Sequence, residues 1–414
     1  MLRSALHDGT ARRRGVFELF GRRLPGYRRY GVVAGTGRFL NLLRSFTFDD
    51  SVLRYLSDAG VVDDRTRDWL AEYRFRGDIW GYPEGEVFFP GSPLLVVEGT
   101  FGEAVLLETL ALSVFNHDCA VAAAASRMVS AAAGRPVIEM GSRRTHEEAA
   151  VASARAAYLA GFASTSNLAA GLRYGIPTAG TAAHAFVLLH DDERDAFRSQ
   201  IETLGAGTTL LVDTYDISEA VRAAVEVAGP DLGAIRIDSG DLLTVAGQVR
   251  GELDALGAKN TRIIVSGDLN EHQIAALAVT PAAGYGVGTA VVTGSGAPTA
   301  ELVYKLVARG DTTTDTLQPV AKRSAGKPTH GGRKWAYRRI GADGRATAEL
   351  LTGDGSRGPA DRPLLVPLVR AGEVVWEETL AQGRDRLQNA LAELPATAVQ
   401  LSQGDPAIPT YYEA

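Results

Sequence analysis

Polar and charged residues that could do chemistry follow short apolar runs in the middle of this sequence. Between residues 135 and 294 they are Arg143, Thr181, His184, Arg236, Asp238, Asp268 and Thr289. An arginine at a strand end could bind an anionic ligand, and an aspartate beside it could bind sugar hydroxyls or magnesium-bound water. Because Arg236 and Asp238 are two residues apart, their side chains would leave one strand on the same side. A buried salt bridge between them is the structural alternative.

Thr181 and His184 place a hydroxyl and an imidazole after one of these runs and at the start of an apolar segment. A lone histidine is more often structural, but the strand-end position and the glycine before Thr181 make a functional role an equal alternative. Arg143 and Arg144 end another run with no acidic neighbour before Glu147, which suggests an anionic ligand.

Two segments could hold a phosphate through backbone N–H groups. Gly288 and Thr289 end the sequence GVGT, and Ser266 and Gly267 follow another apolar run. An ordinary tight turn is the alternative for GVGT, although phosphate sites in β/α barrels tend to lie on the last strands. The sequence shows no Cys and His cluster with metal-ligand spacing and no P-loop motif, so it predicts neither a structural zinc nor a P-loop.

The elements that must position these residues are seven apolar runs that recur at intervals of roughly 20 to 30 residues. They span residues 136–144, 161–167, 177–184, 209–216, 234–241, 262–269 and 284–290. The segments 146–160 and 216–228 between them have the periodicity of helices that cover a parallel sheet. The pattern predicts an α/β fold, an irregular β/α barrel whose strand ends bring the polar residues to one mouth.

Composition limits the class of protein. The 414 residues carry a net charge of -6, which argues against a nucleic-acid partner, and no apolar run of about 18 residues predicts a membrane span. Cys119 is the one cysteine, so an intramolecular disulfide is excluded and a reducing cytoplasm is the expected compartment. We interpret Cys119, in a run of small residues, as a core residue rather than a nucleophile.

The flanking sequence predicts further layers around the barrel. Residues 1–133 form an accessory N-terminal α/β domain, 134–310 the barrel, and 311–414 a C-terminal segment that packs back on the accessory domain and carries a basic loop at 322–334. The accessory domain is expected to contain helices at 36–43, 63–72, 102–118 and 120–133, and strands at 85–90 and 92–99. Pro90 and Gly91 would join the two strands as a hairpin.

The ordered set of motifs resembles the nicotinate phosphoribosyltransferase family from about residue 16 to 409. The motifs are GSRRTHEEAA, GFASTSNLAAG, GTAAHAFV, LLVDTYD, IRIDSGDL, VSGDLNE, GYGVGTAVVTG and VYKLV. The resemblance implies transfer of phosphoribose from 5-phosphoribosyl 1-diphosphate (PRPP) to nicotinate, coupled to ATP hydrolysis and supported by Mg²⁺. It also implies a type II phosphoribosyltransferase-like barrel and a homodimer.

The same resemblance assigns roles to individual residues. His184 falls on the phosphorylated histidine, and Asp238 joins it as a catalytic residue. Thr181, Arg236 and Arg143 would bind nicotinate. The PRPP phosphates would meet Gly267, Gly288 and Thr289. No direct side-chain metal site is implied.

Two positions depart from the family pattern. The sequence starts at Met1 without the aromatic-bearing segment that stacks on the pyridine, and Met140 stands where some relatives have an aromatic. A shortened or misassigned start, or weak activity, is the expectation. The alternatives for function are a phosphoribosyltransferase acting on nicotinamide or quinolinate, and a catalytically impaired PRPP-binding or dimer-partner protein.

Overall fold

The computed structural model describes residues 1–26, 28–310, 316–322 and 329–413. The chain folds into two compact units, one formed by residues 1–120 with 299–414 and the other by residues 121–298. These divisions lie before the boundaries expected after residues 133 and 310, and the domain boundaries stay a prediction. Residues 323–328 of the expected basic loop at 322–334 lie outside the described residues.

The N-terminal part of the first unit combines short helices with strands. Its helices are α1 (Leu2–His7), α2 (Thr36–Arg44), α3 (Asp50–Asp58), α4 (Asp64–Ala71), α5 (Phe101–Val105) and the first part of α6 (Leu107–Ala132), whose residues from 121 belong to the second unit. Its strands are β1 (Arg14–Gly21), β2 (Gly31–Val32), β3 (Asp78–Gly81), β4 (Val87–Phe88) and β5 (Leu95–Thr100). Asp49 and Asp63 cap α3 and α4 by accepting hydrogen bonds from first-turn N–H groups, which explains where these helices begin.

The second unit alternates short parallel strands with helices. Its strands are β6 (Val137–Glu139), β7 (Ser164–Thr165), β8 (Thr209–Leu211), β9 (Ala234–Ile237), β10 (Arg262–Val265) and β11 (Gly284–Val287). Its helices are α7 (Glu147–Leu159), α8 (Leu168–Tyr174), α9 (His184–Leu188), α10 (Glu193–Leu204), α11 (Ile217–Ala228), α12 (Leu242–Ala255), α13 (Glu271–Ala276) and α14 (Thr289–Val292).

The C-terminal part of the first unit is mainly strands. They are β12 (Leu302–Gly310), β13 (Leu317–Pro319), β14 (Trp335–Ile340), β15 (Ala346–Thr352), β16 (Asp361–Pro363), β17 (Val366–Arg370), β18 (Glu373–Val374) and β19 (Thr410–Glu413), with helix α15 (Leu380–Glu393) before the last. Three 3₁₀ turns, Thr10–Arg12, Leu277–Val279 and Ala396–Val399, complete the elements of the described residues.

Two larger sheets organise the first unit. Seven strands form a sheet in the order β13-β12-β1-β5-β3-β17-β18, and four form a second in the order β16-β14-β15-β19. The seven-stranded sheet is antiparallel throughout, and residues of β1, β5 and β12 belong to a large apolar core. Pairing of β17 with β3 therefore brings late and early parts of the chain into one sheet.

The sheet of the second unit is parallel and has the order β7-β6-β11-β10-β9-β8. Its register aligns the strand ends: Glu139 pairs with Thr165 and Val287, and Val265 pairs with Ile237. Residues that follow these ends therefore lie along one edge of the sheet, where loops of β/α barrels form active sites.

Three local predictions were wrong. The segment 177–184 is not a strand and contributes a single bridge, between Thr165 and Thr178. The hairpin at Pro90-Gly91 does not form, because β4 pairs with β2 whereas β5 pairs with β1 and β3. At this turn the N–H of Gly91 donates to the Gly21 carbonyl, and the N–H of Leu94 donates to the Leu19 carbonyl. The chain after Pro90 therefore pairs with β1 rather than with β4.

The helices expected at 102–118 and 120–133 also differ, because α6 runs without a break from Leu107 to Ala132. Neither Gly nor Pro stands near residue 119 to interrupt it. Within the described residues, the helical stretch Phe101–Ala132 is long and apolar enough to cross a membrane, and 56% of its most apolar window is buried. A core helix passes the same test, and Phe115 and Cys119 on α6 are fully buried.

Candidate active site

Arg236 is the centre of a hydrogen-bond network at the strand ends of the second unit. Its Nε donates to Ser266 Oγ at 2.7 Å, Nη1 to Thr181 Oγ1 at 2.8 Å, and Nη2 to Asp238 Oδ1 at 2.6 Å. The side chain is 14% exposed. Three of the five guanidinium N–H groups are thus used, so each terminal nitrogen keeps one for a ligand.

Asp238 is the acidic partner in this network. The Ser266 hydroxyl also donates to its Oδ1, at 2.5 Å. Burial raises the pKa of Asp238, but the hydrogen bond from Ser266 and the charge of Arg236 outweigh it and lower that pKa below its ordinary value. Both side-chain contacts fall on Oδ1, so Oδ2 can meet a ligand hydroxyl or a water.

His184 is held by residues that follow β8. Its Nδ1 lies 3.1 Å from Thr214 Oγ1, and its Nε2 lies 3.9 Å from Asp213 Oδ1. The imidazole is 41% exposed whereas the Asp213 side chain is almost fully buried. The ring is therefore oriented by buried or partly buried residues of the β8 loop, and its exposed part is open to a ligand.

Asp213 connects His184 to the arginine network. Its Oδ2 accepts hydrogen bonds from the backbone N–H of Asp238 at 3.0 Å and from Ser239 Oγ at 2.6 Å. Its Oδ1 is buried and has no hydrogen-bond partner within the described ranges. One carboxylate thus faces the histidine with one oxygen and fixes the loop after β9 with the other.

Gly267 lies directly against the backbone of this loop. Its φ is +109°, and a Cβ added there would lie 2.4 Å from the carbonyl oxygen of Asp238. Only glycine fits a backbone that is both left-handed and this close to a neighbouring strand end. Asp268, which follows it, is exposed and also has a positive φ, of 43°.

The remaining predicted residues lie on the other strand ends. Thr289 is exposed and begins α14, and Gly288 caps this helix without a side-chain hydrogen bond. First-turn N–H groups of such a helix are available to ligand oxygens. Arg143 is exposed, and no hydrogen bond or ion pair joins its guanidinium to any described residue.

The structure thus brings Thr181, Arg236 and Asp238 into one hydrogen-bond network, with Gly267 packed against the Asp238 backbone and His184 at the edge. It places Arg143, Gly288 and Thr289 at neighbouring strand ends without a side-chain contact to that network. No group of three or more His, Cys, Asp or Glu side chains suited to a metal occurs in the part of the chain that the structure describes.

Sequence reasoning missed Asp213 and Thr214 and gave Ser266 only a backbone role. The sequence TLLVDTYD (209–216) could have indicated them, because it is an apolar run followed by polar residues, as are the runs whose ends were predicted to form the site. Spacing along one strand cannot show that a residue from another strand orients the histidine, because that contact depends on strand order.

Comparisons with known proteins find matches to phosphoribosyltransferase families. The family model for the nicotinate phosphoribosyltransferase N-terminal domain matches residues 1–116, and that for the quinolinate phosphoribosyl transferase C-terminal domain matches residues 121–295. A nicotinate phosphoribosyltransferase of Mycobacterium tuberculosis (strain CDC 1551 / Oshkosh) is 58% identical over 427 residues, covering 99% of this chain and 92% of the relative.

Two more distant proteins extend this similarity. A nicotinate phosphoribosyltransferase of Bacillus subtilis (strain 168) is 37% identical over 344 residues, covering 80% of this chain and 70% of the relative. The crystal structure of human nicotinic acid phosphoribosyltransferase has a TM-score of 0.84 at 26% identity, covering 99% of this chain and 96% of the human one.

Proposed function

The chain belongs to the nicotinate phosphoribosyltransferase family, and we propose that the strand-end site performs the family's reaction. Nicotinate, PRPP and ATP are its substrates; nicotinate mononucleotide, diphosphate, ADP and phosphate are its products. The reaction is the first step of NAD biosynthesis from nicotinate. The family and the fold class predicted from the sequence are confirmed by the comparisons.

The observation that carries the assignment to this site is the arrangement around Arg236. The guanidinium is largely buried, is fixed on three sides, and keeps one N–H on each terminal nitrogen. A carboxylate such as that of nicotinate can accept charge-assisted hydrogen bonds from such a fork. Thr181, which holds Nη1, would sit beside the same carboxylate, and Arg143 would supply further positive charge.

Asp238 suits the sugar of PRPP. Its lowered pKa keeps it ionised near neutral pH, and Oδ2 can accept a hydrogen bond from a ribose hydroxyl. As diphosphate leaves, the anomeric carbon gains positive charge, which a nearby carboxylate stabilises. The backbone N–H groups of Gly267, Gly288 and Thr289 would donate hydrogen bonds to the phosphates of PRPP.

His184 would accept the phosphoryl group of ATP. Thr214 lies within hydrogen-bonding distance of Nδ1, and Nε2 of the partly exposed imidazole, which lies 3.9 Å from Asp213, can reach a nucleotide. In the transfer, a ring nitrogen bonds the γ-phosphorus as the bond to ADP breaks, and water later releases phosphate. Phosphorylation adds about two negative charges beside Asp213, which changes the electrostatics of the site between the two halves of the cycle.

Mg²⁺ would accompany the phosphates of PRPP and ATP. The unpartnered Oδ1 of Asp213 and the open Oδ2 of Asp238 fit an ion that takes one or two carboxylates and completes its shell with waters and substrate oxygens. When bound, the ion would neutralise charge on the leaving diphosphate.

Assembly and compartment are further parts of the proposal. Leu168 and Leu172, one helical turn apart on α8, are 74% and 91% exposed, which supports a contact with a second copy in a homodimer. Cys119, the one cysteine, is a buried free thiol, as suits a protein of the reducing cytoplasm.

Quinolinate is the second candidate base, because residues 121–295 match the quinolinate phosphoribosyl transferase family model. Nucleotide formation with PRPP should be measured for nicotinate, nicotinamide and quinolinate, with and without ATP. We expect nicotinate to give the highest kcat/KM and ATP to raise it, with ADP formed. A preference for quinolinate or nicotinamide would replace the assigned base, and PRPP binding without turnover of any base would indicate an impaired homologue.

A further inference from the structure

A buried carboxyl group at the end of β6 has no part in the chemistry described above. Glu139 is fully buried, yet its two oxygens accept hydrogen bonds from two different segments. Gly141 N–H donates to Oε1 at 2.5 Å, and the Thr165 hydroxyl donates to Oε2 at 2.5 Å. One side chain therefore ties the loop after β6 to the end of β7.

Two further hydrogen bonds close this connection into a ring. The backbone N–H of Asn167 donates to Thr165 Oγ1 at 2.9 Å, and the Asn167 amide donates to Ser142 Oγ at 3.0 Å. The ring thus runs from Glu139 through Gly141 and Ser142 to Asn167 and Thr165. We call these five residues the strand-end clamp.

The β6 loop, which the clamp holds, packs closely against the turn that begins α14. A Cβ on Gly141 would lie 2.2 Å from Val292 Cγ1 and 3.0 Å from the carbonyl oxygen of Gly288. Just before it, the Met140 N–H donates to the Val287 carbonyl at 2.7 Å. Because there is no spare space at Gly141, a shift of the loop must move the Gly288 turn with it.

The chemistry of the ring requires a carboxyl group. A carboxylate accepts hydrogen bonds at both oxygens, whereas an amide of the same shape has one acceptor oxygen and one donor nitrogen. Burial raises the pKa of Glu139, and the hydrogen bonds from Thr165 and Gly141 act against that rise. Placing a carboxyl group here costs free energy, so its presence calls for a purpose beyond filling the core.

We infer that Glu139 is a positioning residue for phosphoribosyl transfer, which holds the β6 loop and the Gly288 turn in the geometry that binds the phosphates of PRPP. The inference rests on the proposed function, and it assigns Thr165 and Asn167 to the same task. Glu139, Thr165 and Asn167 are not proposed to contact the reacting atoms. They act through the loop that carries Arg143 and through the turn at Gly288.

The test compares Glu139→Gln, Thr165→Val and the double variant with the unchanged chain. Calorimetric titration with PRPP gives Kd without turnover, and initial rates give the KM for PRPP and for nicotinate. We expect each single variant to weaken PRPP binding by about tenfold, the effect of losing one or two hydrogen bonds in a buried ring. The KM for nicotinate should change less, because only Arg143 of its proposed contacts lies on the β6 loop, whereas Arg236 and Thr181 hold each other on other segments.

Non-additivity separates positioning from general loss of stability. Both substitutions open the same ring, so the Kd for PRPP of the double variant should be about equal to the higher of the two single-variant Kd values. Val137→Ala on the same strand is the matched control, since Val137 is buried but outside the ring. It should lower Tm while leaving the Kd for PRPP unchanged. Thr165→Val retains the carboxyl group and carries the test if Glu139→Gln does not fold.

Unchanged PRPP affinity in folded Glu139→Gln and Thr165→Val would overturn the inference, as would an equal loss of affinity in Val137→Ala. The proposed function fails separately, if the unchanged chain binds PRPP but forms no pyridine nucleotide. The calorimetric comparison then still decides whether the clamp positions the phosphate turn.

Discussion

Replacing Arg236 with alanine removes the cation that we place opposite the carboxylate of nicotinate. The guanidinium keeps two N–H groups beyond its contacts with Thr181, Ser266 and Asp238. A hydrogen bond between charged groups contributes about 1.5 to 3 kcal/mol. The KM for nicotinate should therefore rise by about tenfold to a hundredfold. The Kd for PRPP should change less, because its proposed phosphate contacts lie elsewhere and only its ribose contact, Asp238, pairs with Arg236.

Arg236→Lys refines this prediction. Lysine keeps the charge but loses the planar fork, so it cannot hold Thr181, Ser266 and Asp238 together while also meeting a carboxylate in two places. We expect a KM for nicotinate between those of the alanine variant and the unchanged protein. Initial rates of nucleotide formation, with nicotinate varied at saturating PRPP and ATP, measure it.

Arg135→Ala is the control for the loss of a hydrogen-bonded arginine. Arg135 lies just before β6, at the opposite end of the strand from the site, and donates to the Tyr285 hydroxyl and the Ala278 carbonyl. Its removal should lower stability and spare the KM for nicotinate. An unchanged KM in folded Arg236→Ala would refute the assignment and direct attention to Arg143.

Three further predictions concern His184 and Gly267 of the site and Glu193 at the start of α10. His184→Ala should abolish ATP hydrolysis and phosphohistidine formation while the protein stays folded, because one exposed ring is removed and no core volume is lost. Gly267→Ala should lower kcat/KM at least about tenfold, because its Cβ would displace the Asp238 carbonyl, which lies 2.4 Å away. Burial, followed by the charges of nearby carboxylates, raises the pKa of Glu193 to about 7. Its neutral form thus stabilises the fold below its ordinary pKa of 4.5, and this stability is lost as pH rises through about 7. Relative to Glu193→Gln, the unchanged protein should lose stability over that window in urea unfolding.

A specific result would contradict each of the predictions for His184, Gly267 and Glu193. Full ATPase activity in folded His184→Ala would remove the phosphohistidine assignment. Gly257→Ala is the control for Gly267, since Gly257 also has a positive φ but nothing within 4 Å of an added Cβ. Equal losses of activity in the two glycine variants would show that backbone strain alone is responsible. A constant stability difference between pH 4.5 and pH 8 would contradict the pKa of Glu193.

The sequence predicted those parts of the fold that follow from local patterns. Six of the seven apolar runs contain the parallel strands. For five of them the reason is that a strand buried on both faces needs a continuous apolar run, whereas β7 consists of Ser164 and Thr165. The Ala-rich segment after β6 became α7, as its periodicity indicated. Residues 177–184 were misjudged, because Pro177 and the small residues after it resemble a strand end but form only one bridge.

Contacts between distant segments were beyond local pattern. The strands on either side of Pro90 have the spacing of a hairpin, but β1 offers β5 a longer antiparallel partner. In the site, the Arg236 and Asp238 pair was expected from spacing alone, whereas Asp213 and Ser266 meet it only through the order of β8, β9 and β10.

A crystal structure of the protein with nicotinate mononucleotide and diphosphate tests the central claim most directly. We predict that the pyridine carboxylate lies within hydrogen-bonding distance of Nη1 and Nη2 of Arg236, with a ribose hydroxyl at Oδ2 of Asp238. The 5′-phosphate should meet backbone N–H groups at Gly267, Gly288 or Thr289. A nucleotide bound away from these strand ends, or a carboxylate that does not contact Arg236, would contradict the account.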